Sequence, residues 1–188
     1  MNVYDFDNTI YDGESAYDFF VFCIKKYPSL VRLFPLLVIK LIRYKLLLIS
    51  KEELEADVKK YSAYMISKVG DLEKLAEAFW DKNICRVKQF YLDTKTDNDL
   101  ILSATAGFLL KALSPRVGGL NYISSEIDTK TGELKRICFR ENKVEVFRRF
   151  YPDKRIENFY TDSLNDGPMI EISQNAYMVK GTKVEKIK

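Results

Sequence analysis

The sequence has 188 residues, of which 47% are hydrophobic and 30% are charged, a balance typical of a soluble globular domain with a sizeable core. Its 30 basic and 27 acidic residues give a net charge of +3, too small to indicate nucleic-acid binding by itself. The absence of histidine excludes serine–histidine and cysteine–histidine catalysis and histidine-ligated zinc. Three widely separated cysteines indicate reduced thiols in a cytoplasmic protein, not a disulfide framework.

The beginning of the sequence, MNVYDFDNT, has neither the basic start nor the long apolar run of a signal peptide. The segment 30–49 has the length of a membrane span but contains four basic residues, Arg32, Lys40, Arg43 and Lys45. Each charge near the centre of a membrane helix opposes insertion by about 2.5–3.5 kcal/mol. We therefore expect no transmembrane helix.

The region from Phe19 to Lys51 is unusual because it has basic residues and no acidic one. The basic residues are Lys25, Lys26, Arg32, Lys40, Arg43, Lys45 and Lys51. Apolar and basic residues together suit the surface of an anionic membrane or a cap over an anionic substrate. A helical hairpin that packs on its neighbours and exposes its lysines to water is the simpler interpretation.

The first predicted element is a short buried strand over Val3–Phe6 that ends in acidic residues. A helical region follows from Ser15 to Val87, with apolar residues at helical spacing and interruptions at Pro28 and Pro35. Asp71 is the predicted N-cap of a helix in its second half.

Short strands alternate with helices from about Asp99 onward. The predicted strands are 100–102, 117–127, 134–139, 156–161 and 175–179, and the predicted helices are 106–113, 143–150 and 166–172. The turn-rich segment 128–132 predicts a β-hairpin. Alternation predicts an α/β fold with a doubly wound parallel sheet and a ligand site at the carboxyl ends of its strands. We expect a catalytic core of residues 1–14 and 88–188, with residues 15–87 inserted as a helical cap.

Two carboxylates, Asp5 and Asp7, directly follow the first predicted strand in the sequence DFDNT, which ends at Thr9. Residues at i and i+2 of such a loop can meet one metal ion, one through its side chain and the other through its backbone carbonyl. Oxygen ligands of this kind are those that Mg²⁺ prefers. The pair therefore predicts a metal site, with a solvated acidic turn as the alternative.

Three further motifs lie at later strand ends or helix starts. Ser103 offers a hydroxyl, with nearby backbone N–H groups, to a phosphate oxygen. Lys143, at the start of a predicted helix, offers a point charge to phosphate. The sequence DSLND after the strand 156–161 supplies two carboxylates, Asp162 and Asp166, and the amide of Asn165. Taken singly, Ser103 also fits a helix cap and Lys143 a surface lysine.

In this order, D-x-D-x-T, a strand-end serine, a lysine and D-S-x-x-D resemble the haloacid dehalogenase (HAD) superfamily, in its phosphoserine-phosphatase-like branch. The resemblance extends over essentially the whole chain and includes the cap between the first and second motifs. In that superfamily the second aspartate, here Asp7, marks phosphate chemistry and is missing from the dehalogenases. The resemblance thus implies a Mg²⁺-dependent phosphatase with a Rossmann-like core, a small phosphorylated substrate and no nucleic-acid partner.

The resemblance also implies a role for each motif residue. Asp5 is the implied nucleophile, which forms an aspartyl-phosphate, and Asp7 is the implied general acid and then base. The implied Mg²⁺ ligands are the Asp5 side chain, the Asp7 carbonyl and the Asp162 side chain. Ser103 and Lys143 are the implied phosphate-binding residues. The supporting residues are Thr9, Asn165 and Asp166.

The sequence alone leaves both the type of reaction and the substrate open. A phosphotransferase of the same fold, in which an alcohol replaces water, shares every motif. A membrane-surface binding protein that uses the basic, apolar cap is the alternative from a different class, and the same cap predicts a peripheral membrane contact. Glu14 lies near a position that holds the substrate amine in phosphoserine phosphatases, whereas the basic cap suits a more anionic or lipid-like substrate.

Overall fold

The structure is a computed structural model that describes residues 1–46, 48–138 and 141–188. Its helices are α1 (Ser15–Lys26), α2 (Phe34–Lys45), α3 (Lys51–Val69), α4 (Leu72–Asn83), α5 (Gln89–Thr94), α6 (Gly107–Leu113), α7 (Glu141–Phe150) and α8 (Gly167–Ile172). Its strands are β1 (Asn2–Tyr4), β2 (Leu100–Ala106), β3 (Tyr122–Ile127), β4 (Leu134–Arg136), β5 (Ile156–Thr161), β6 (Ser173–Lys180) and β7 (Lys183–Lys186). Short 3₁₀ turns follow α1, α4 and α6 and precede α8.

The strands form one sheet in the order β4-β3-β2-β1-β5-β6-β7. β1 lies between β2 and β5 and is parallel to both, and β3 and β6 continue the parallel array. β4 and β7 are antiparallel additions at the two edges. Because the chain extends from β1 first to one side and later to the other, the carboxyl ends of the central strands border a topological switch point, where sheets of this kind bind ligands.

The sheet is buried on both faces, which explains why its central strands are apolar without alternation. Val3 belongs to a buried cluster with Phe147 of α7 and Met169 of α8. The next residue, Tyr4, belongs to a second cluster that includes Trp80 of α4. Successive strand residues therefore pack against different helical layers. The predicted fold class, a doubly wound α/β sheet with a small hairpin, is confirmed.

Helices α1 to α4 lie between β1 and β2 in the chain, and α4 packs against α6. Trp80 is fully buried at this contact, and its indole N–H donates to the Leu109 carbonyl at 2.8 Å. Asp71 caps α4 as predicted, because its side chain accepts the N–H of Lys74 at 3.0 Å. Among the described residues, no helix has the length and apolar character needed to cross a membrane.

The hairpin of β3 and β4 reaches from the edge of the sheet to α3. Asp128 shapes its turn by accepting the N–H groups of Lys130 and Thr131 at 2.9 and 3.0 Å. Gly132 has φ +76° and lies so close to α3 that a Cβ here would stand 2.7 Å from the backbone nitrogen of Ala63. Only glycine fits this approach, so the hairpin ties the helical insertion to the edge of the sheet.

The observed elements differ from the predicted ones at several boundaries. β3 begins at Tyr122 and not at 117, because Gly118 and Gly119 adopt positive φ and turn the chain before the strand. The sequence pattern does not predict α5 or β7, since α5 has only six residues and β7 is exposed along its whole length. Phe139, the last residue of a predicted strand, lies outside the described residues.

We predict that Gly132→Ala lowers the free energy of unfolding by about 2–4 kcal/mol, because it adds a backbone clash to the cost of positive φ. Gly181→Ala is the matched control: Gly181 also has positive φ (+59°), but no described atom lies within 4 Å of its Cβ position. The control should cost about 1 kcal/mol. Urea denaturation measures both losses, and equal losses would contradict the close contact with α3.

Candidate active site

The carboxyl ends of β1, β2 and β5 and the start of α7 border one cleft of about 170 Å³. The residues that line it are Asp5, Asp7, Glu14, Ser103, Ala104, Lys143, Asp162, Ser163, Asn165 and Asp166. The backbone of Asp5 is fixed by its N–H, which donates to the Tyr160 carbonyl of β5 at 2.8 Å. Motifs that are far apart in the sequence therefore meet at the switch point of the sheet.

Lys143 lies between two carboxylates and is almost fully buried. Its Nζ donates to Asp5 Oδ1 at 2.9 Å and lies 2.8 and 3.0 Å from the two carboxylate oxygens of Asp166. Asp166 also accepts a hydrogen bond from the Thr161 hydroxyl at 3.0 Å. Because an isolated buried charge would lose several kcal/mol of solvation, these partners hold the ammonium firmly against Asp5.

Asp7 is held by the start of α1 and by β2. Its Oδ1 accepts the N–H of Ser15 at 2.7 Å, and its Oδ2 accepts the Thr105 hydroxyl at 2.9 Å. The Thr105 hydroxyl in turn lies 3.1 Å from Ser103 Oγ and 3.2 Å from Ser15 Oγ. A helix N-terminus and a cluster of hydroxyls thus fix the orientation of this carboxylate.

The loop between Asp7 and α1 is fixed at several points. Asn8 has φ 56°, a conformation that asparagine tolerates better than most residues, and its amide donates to Glu14 Oε1 at 2.7 Å. The ammonium of the buried Lys88 donates to the Asn8 carbonyl. Since Lys88 follows the helical insertion in the chain, this bond connects the end of the insertion to the loop that precedes it.

The two aspartates of the first motif have altered acidities for different reasons. Burial, and then the negative charge of Glu14, raise the pKa of Asp7 to about 6, although hydrogen bonds from Ser15 and Thr105 oppose this. Burial also raises the pKa of Asp5, against the opposing effect of the Lys143 ammonium. A carboxyl group with a pKa near neutrality can give and take a proton at physiological pH.

The cleft has more negative than positive charge. Its described lining residues include one ammonium, that of Lys143, and the carboxylates of Asp5, Asp7, Glu14, Asp162 and Asp166. Such a cleft repels a phosphate dianion unless a cation binds with it. Within the described residues no three acidic or thiol side chains are arranged to hold an ion by themselves. A cation site here therefore needs a backbone oxygen as well as carboxylates.

The structure brings together most of the residues predicted from the motifs. Those that line the cleft are Asp5, Asp7, Ser103, Lys143, Asp162, Asn165 and Asp166. Thr9 is not among the lining residues: it is fully buried, and its hydroxyl has no hydrogen-bond partner among the described residues. Thr9 can therefore support the loop only through packing.

Sequence reasoning assigned no role to three residues that position the site. Thr105 lies two residues after Ser103 on β2, and the alternation of side chains along a strand places both on one face, so this spacing could have identified it. Ser15 begins the first helix, where a backbone N–H is available to an acidic loop. Lys88 belongs to no recognisable pattern, because its contact with Asn8 depends on the return of the chain from the insertion.

Residues 3–171 match the family model of the haloacid dehalogenase-like hydrolases. The chain belongs to this family. Its membership confirms the resemblance derived from the motifs and the prediction of a hydrolase. Comparison with curated proteins gives no match.

Solved structures of this HAD fold cover nearly the whole chain. A protein of unknown function from Bordetella pertussis Tohama I has a TM-score of 0.71 at 17% identity, over 94% of this chain and 87% of its own. A phosphoserine phosphohydrolase-like protein from Francisella tularensis subsp. tularensis SCHU S4 has a TM-score of 0.59 at 14% identity, over 94% and 86%. A phospho-aspartyl intermediate analogue of phosphoserine phosphatase has a TM-score of 0.56 at 12% identity, over 93% and 83%. At these identities the similarity shows the fold.

The environment of Asp7 in this HAD protein predicts two opposite pKa shifts. Glu14→Gln should lower the pKa of Asp7 below about 6, because it removes a negative charge that disfavours the ionised form. Thr105→Val should raise it, because it removes a hydrogen-bond donor to the ionised form. Carboxyl ¹³C titration by NMR in metal-free protein measures both. Shifts of the same sign would contradict the geometry of the site.

Proposed function

We propose that the protein is a Mg²⁺-dependent phosphomonoester hydrolase that acts through an aspartyl-phosphate on Asp5. The observation that carries this proposal is the meeting of Asp5, Asp7, Lys143 and Asp162 in one cleft at the switch point of the sheet. Family membership supports hydrolysis. Similarity in fold to phosphoserine phosphatase supports a phosphate ester, so we propose a small phosphorylated substrate.

The first step transfers the phosphoryl group to Asp5. A carboxylate oxygen of Asp5 attacks phosphorus, and the bond from phosphorus to the leaving oxygen breaks as that oxygen takes the proton of Asp7. In the second step the ionised Asp7 takes a proton from water, the water oxygen attacks phosphorus, and the bond to Asp5 breaks. The pKa of about 6 suits Asp7 to both proton transfers.

Lys143 and Ser103 are the proposed ligands of the phosphoryl oxygens that are not transferred. Lys143 Nζ already lies 2.9 Å from Asp5 Oδ1, so phosphorus bonded to Asp5 brings its oxygens close to the ammonium. Ser103 Oγ accepts the Thr105 N–H at 3.1 Å, which fixes the position of the serine hydroxyl. Groups that are held in place before reaction stabilise developing charge without reorganising. Asn165 and Asp166 are assigned to positioning, Asp166 through Lys143.

The donor set of the cleft fits Mg²⁺. The carboxylates of Asp5 and Asp162 and the backbone carbonyl of Asp7 offer hard oxygen atoms, and the negative charge of the cleft favours a divalent cation. Mg²⁺, when bound, supplies the positive charge that reduces repulsion between the Asp5 carboxylate and the phosphate dianion.

We assign residues 15–87 to a cap and residues 1–14 and 88–188 to the catalytic core. The bond from the Trp80 indole to the Leu109 carbonyl connects the cap to the core, as does the contact of Gly132 with α3. We infer that a cap held in this way covers the cleft during the reaction and keeps bulk water out, apart from the one molecule that hydrolyses the aspartyl-phosphate.

The proposal predicts Mg²⁺-dependent release of phosphate from an aryl phosphate and from members of a panel of small phosphomonoesters. Asp5→Asn should reduce this rate by about 10³-fold or more, because the amide cannot form the acyl phosphate. The matched control is Asp153→Asn, an exposed aspartate outside the cleft, which should keep the wild-type rate. Folded protein that releases no phosphate from any ester, or an active Asp5→Asn, would overturn the proposal. New ester formed with an added alcohol would identify a phosphotransferase.

The proposed metal ligands predict stabilisation that can be measured without substrate. At about 100 times its Kd, Mg²⁺ should stabilise the wild type by about 2.7 kcal/mol, and Asp162→Asn should lose most of this effect. The stabilisation should increase as pH rises, because burial raises the pKa of Asp5 and this carboxyl must lose its proton to bind the ion. Thermal unfolding with and without Mg²⁺ tests both, and equal responses of the wild type and Asp162→Asn would exclude this ligand.

A further inference from the structure

The helical insertion exposes an unusual amount of apolar surface around α2. Six large apolar side chains within the segment 31–48 are between 45% and 61% exposed, namely Val31, Leu36, Ile39, Ile42, Leu46 and Leu48. Those on α2 itself follow one another at intervals of three residues, which places them on one side of the helix. We call these six residues the α2 face. A water-soluble protein that exposes such a group has a surface that contacts something else.

Two basic side chains within this region are neutralised by α3. Lys40 lies 2.5 Å from Glu53 and 2.7 Å from Asp57. Arg43 pairs with the same Glu53 and also donates to the Leu48 carbonyl at 2.9 Å. These pairs correct the interpretation of the sequence, in which both residues contribute free positive charge. They leave the α2 face apolar and without uncompensated charge from Lys40 and Arg43.

Exposed basic residues precede this face in the chain, at the end of α1 and in the segment before α2. Lys25 and Lys26 end α1, and Arg32 is exposed beside Val31. Lys25, Lys26 and Lys82 line a groove of about 500 Å³ together with Arg86 and Asp18. Since Arg86 pairs with Asp18 at 2.8 Å, the remaining charge of the groove comes from its lysines.

We propose that the α2 face docks on the surface of an anionic phospholipid membrane. The apolar side chains enter the boundary between headgroups and acyl chains, and the lysines and Arg32 bind lipid phosphates nearby. Segment 19–51 has no acidic residue, and Glu53 and Asp57 of α3 are compensated by Lys40 and Arg43. The exposed Lys25, Lys26 and Arg32 therefore make this part of the insertion complementary to negative charge. α2 has 12 residues, a length of about 18 Å against about 30 Å for a bilayer core, so it lies along the surface and does not cross it.

The same charges disfavour a second copy of the chain as the occupant. Two copies that paired through the α2 face would place like charges from Lys25, Lys26 and Arg32 opposite one another or close together. An anionic bilayer has negative charge, which attracts the basic residues, and an apolar interior, which accepts the apolar side chains of the α2 face. Docking of this kind does not depend on the proposed phosphatase reaction.

Co-sedimentation of the full chain with vesicles tests the proposal. The protein should pellet with an equimolar mixture of phosphatidylcholine and phosphatidylglycerol and stay in solution with phosphatidylcholine alone. Ile39→Ser/Ile42→Ser should weaken binding about tenfold or more, because it removes two apolar side chains from the interface. The matched control is Val184→Ser/Ile187→Ser, which removes two exposed apolar side chains near the carboxyl terminus and should bind like the wild type.

The electrostatic part of the proposal has its own pair of variants. Lys25→Glu/Lys26→Glu should lose about tenfold in binding to anionic vesicles, and added salt should weaken wild-type binding. Lys154→Glu/Lys180→Glu makes the same change in net charge at exposed positions elsewhere and should have little effect. Three results would each overturn the proposal. The first is that the protein does not pellet with anionic vesicles, and the second is that test and control variants lose binding equally. The third is a dimer in sedimentation velocity that Ile39→Ser/Ile42→Ser abolishes. Aryl phosphate turnover should stay unchanged in all four variants, so failed docking and failed catalysis are distinguishable.

Discussion

The ammonium of Lys143 connects parts of the chain that are more than a hundred residues apart. Asp5 follows β1, Asp166 follows β5, and Lys143 lies at the start of α7, yet all three are in contact because β1 and β5 are neighbours in the sheet. Loss of one partner from a buried ion pair costs about 3–5 kcal/mol, since the other charge stays buried without compensation. The first and fourth motifs are therefore held together by electrostatics as well as by the sheet. The same burial disfavours the ionised form of Asp5 and raises its pKa, an effect that an additional cation beside the carboxylate would oppose.

Asp5 and Asp7 show how two aspartates two residues apart acquire different chemistry. Asp5 lies against an ammonium, whereas Asp7 accepts hydrogen bonds from an N–H group of α1 and a hydroxyl of β2 and lies close enough to Glu14 to be repelled by it. The ammonium of Lys143 favours the ionised form of Asp5, which a nucleophile requires, and so opposes the upward shift of its pKa by burial. Neutral donors together with a nearby negative charge favour a group that exchanges a proton. The division of roles in the proposed reaction thus follows from the contacts of each side chain.

The local sequence pattern predicted the elements that are apolar and regular. It failed for features that depend on contacts with distant parts of the chain. The central strands were predictable because both of their faces are buried. The role of Asp71 as a helix cap was predictable because capping depends only on neighbouring residues. β7 was not predictable, because an exposed edge strand has no apolar pattern. The site residues that follow strands could be identified from motif order and strand ends. Lys88 could not, because its bond to Asn8 exists only after the insertion has folded and returned the chain to the core.

The charged pairs between α2 and α3 explain why basic residues beside the α2 face add little net charge to it. Lys40 and Arg43 compensate Glu53 and Asp57 within the insertion, so these four residues stabilise the helix pair and add little net charge to its surface. Reversal of Lys40 and Arg43 would place like charges against Glu53 and disturb the fold of the insertion together with any docking. The charges that can be changed without this effect are those of Lys25 and Lys26, which end a helix and face a groove. Apolar contact and electrostatic attraction are therefore carried by separate residues, and each can be altered while the other is kept.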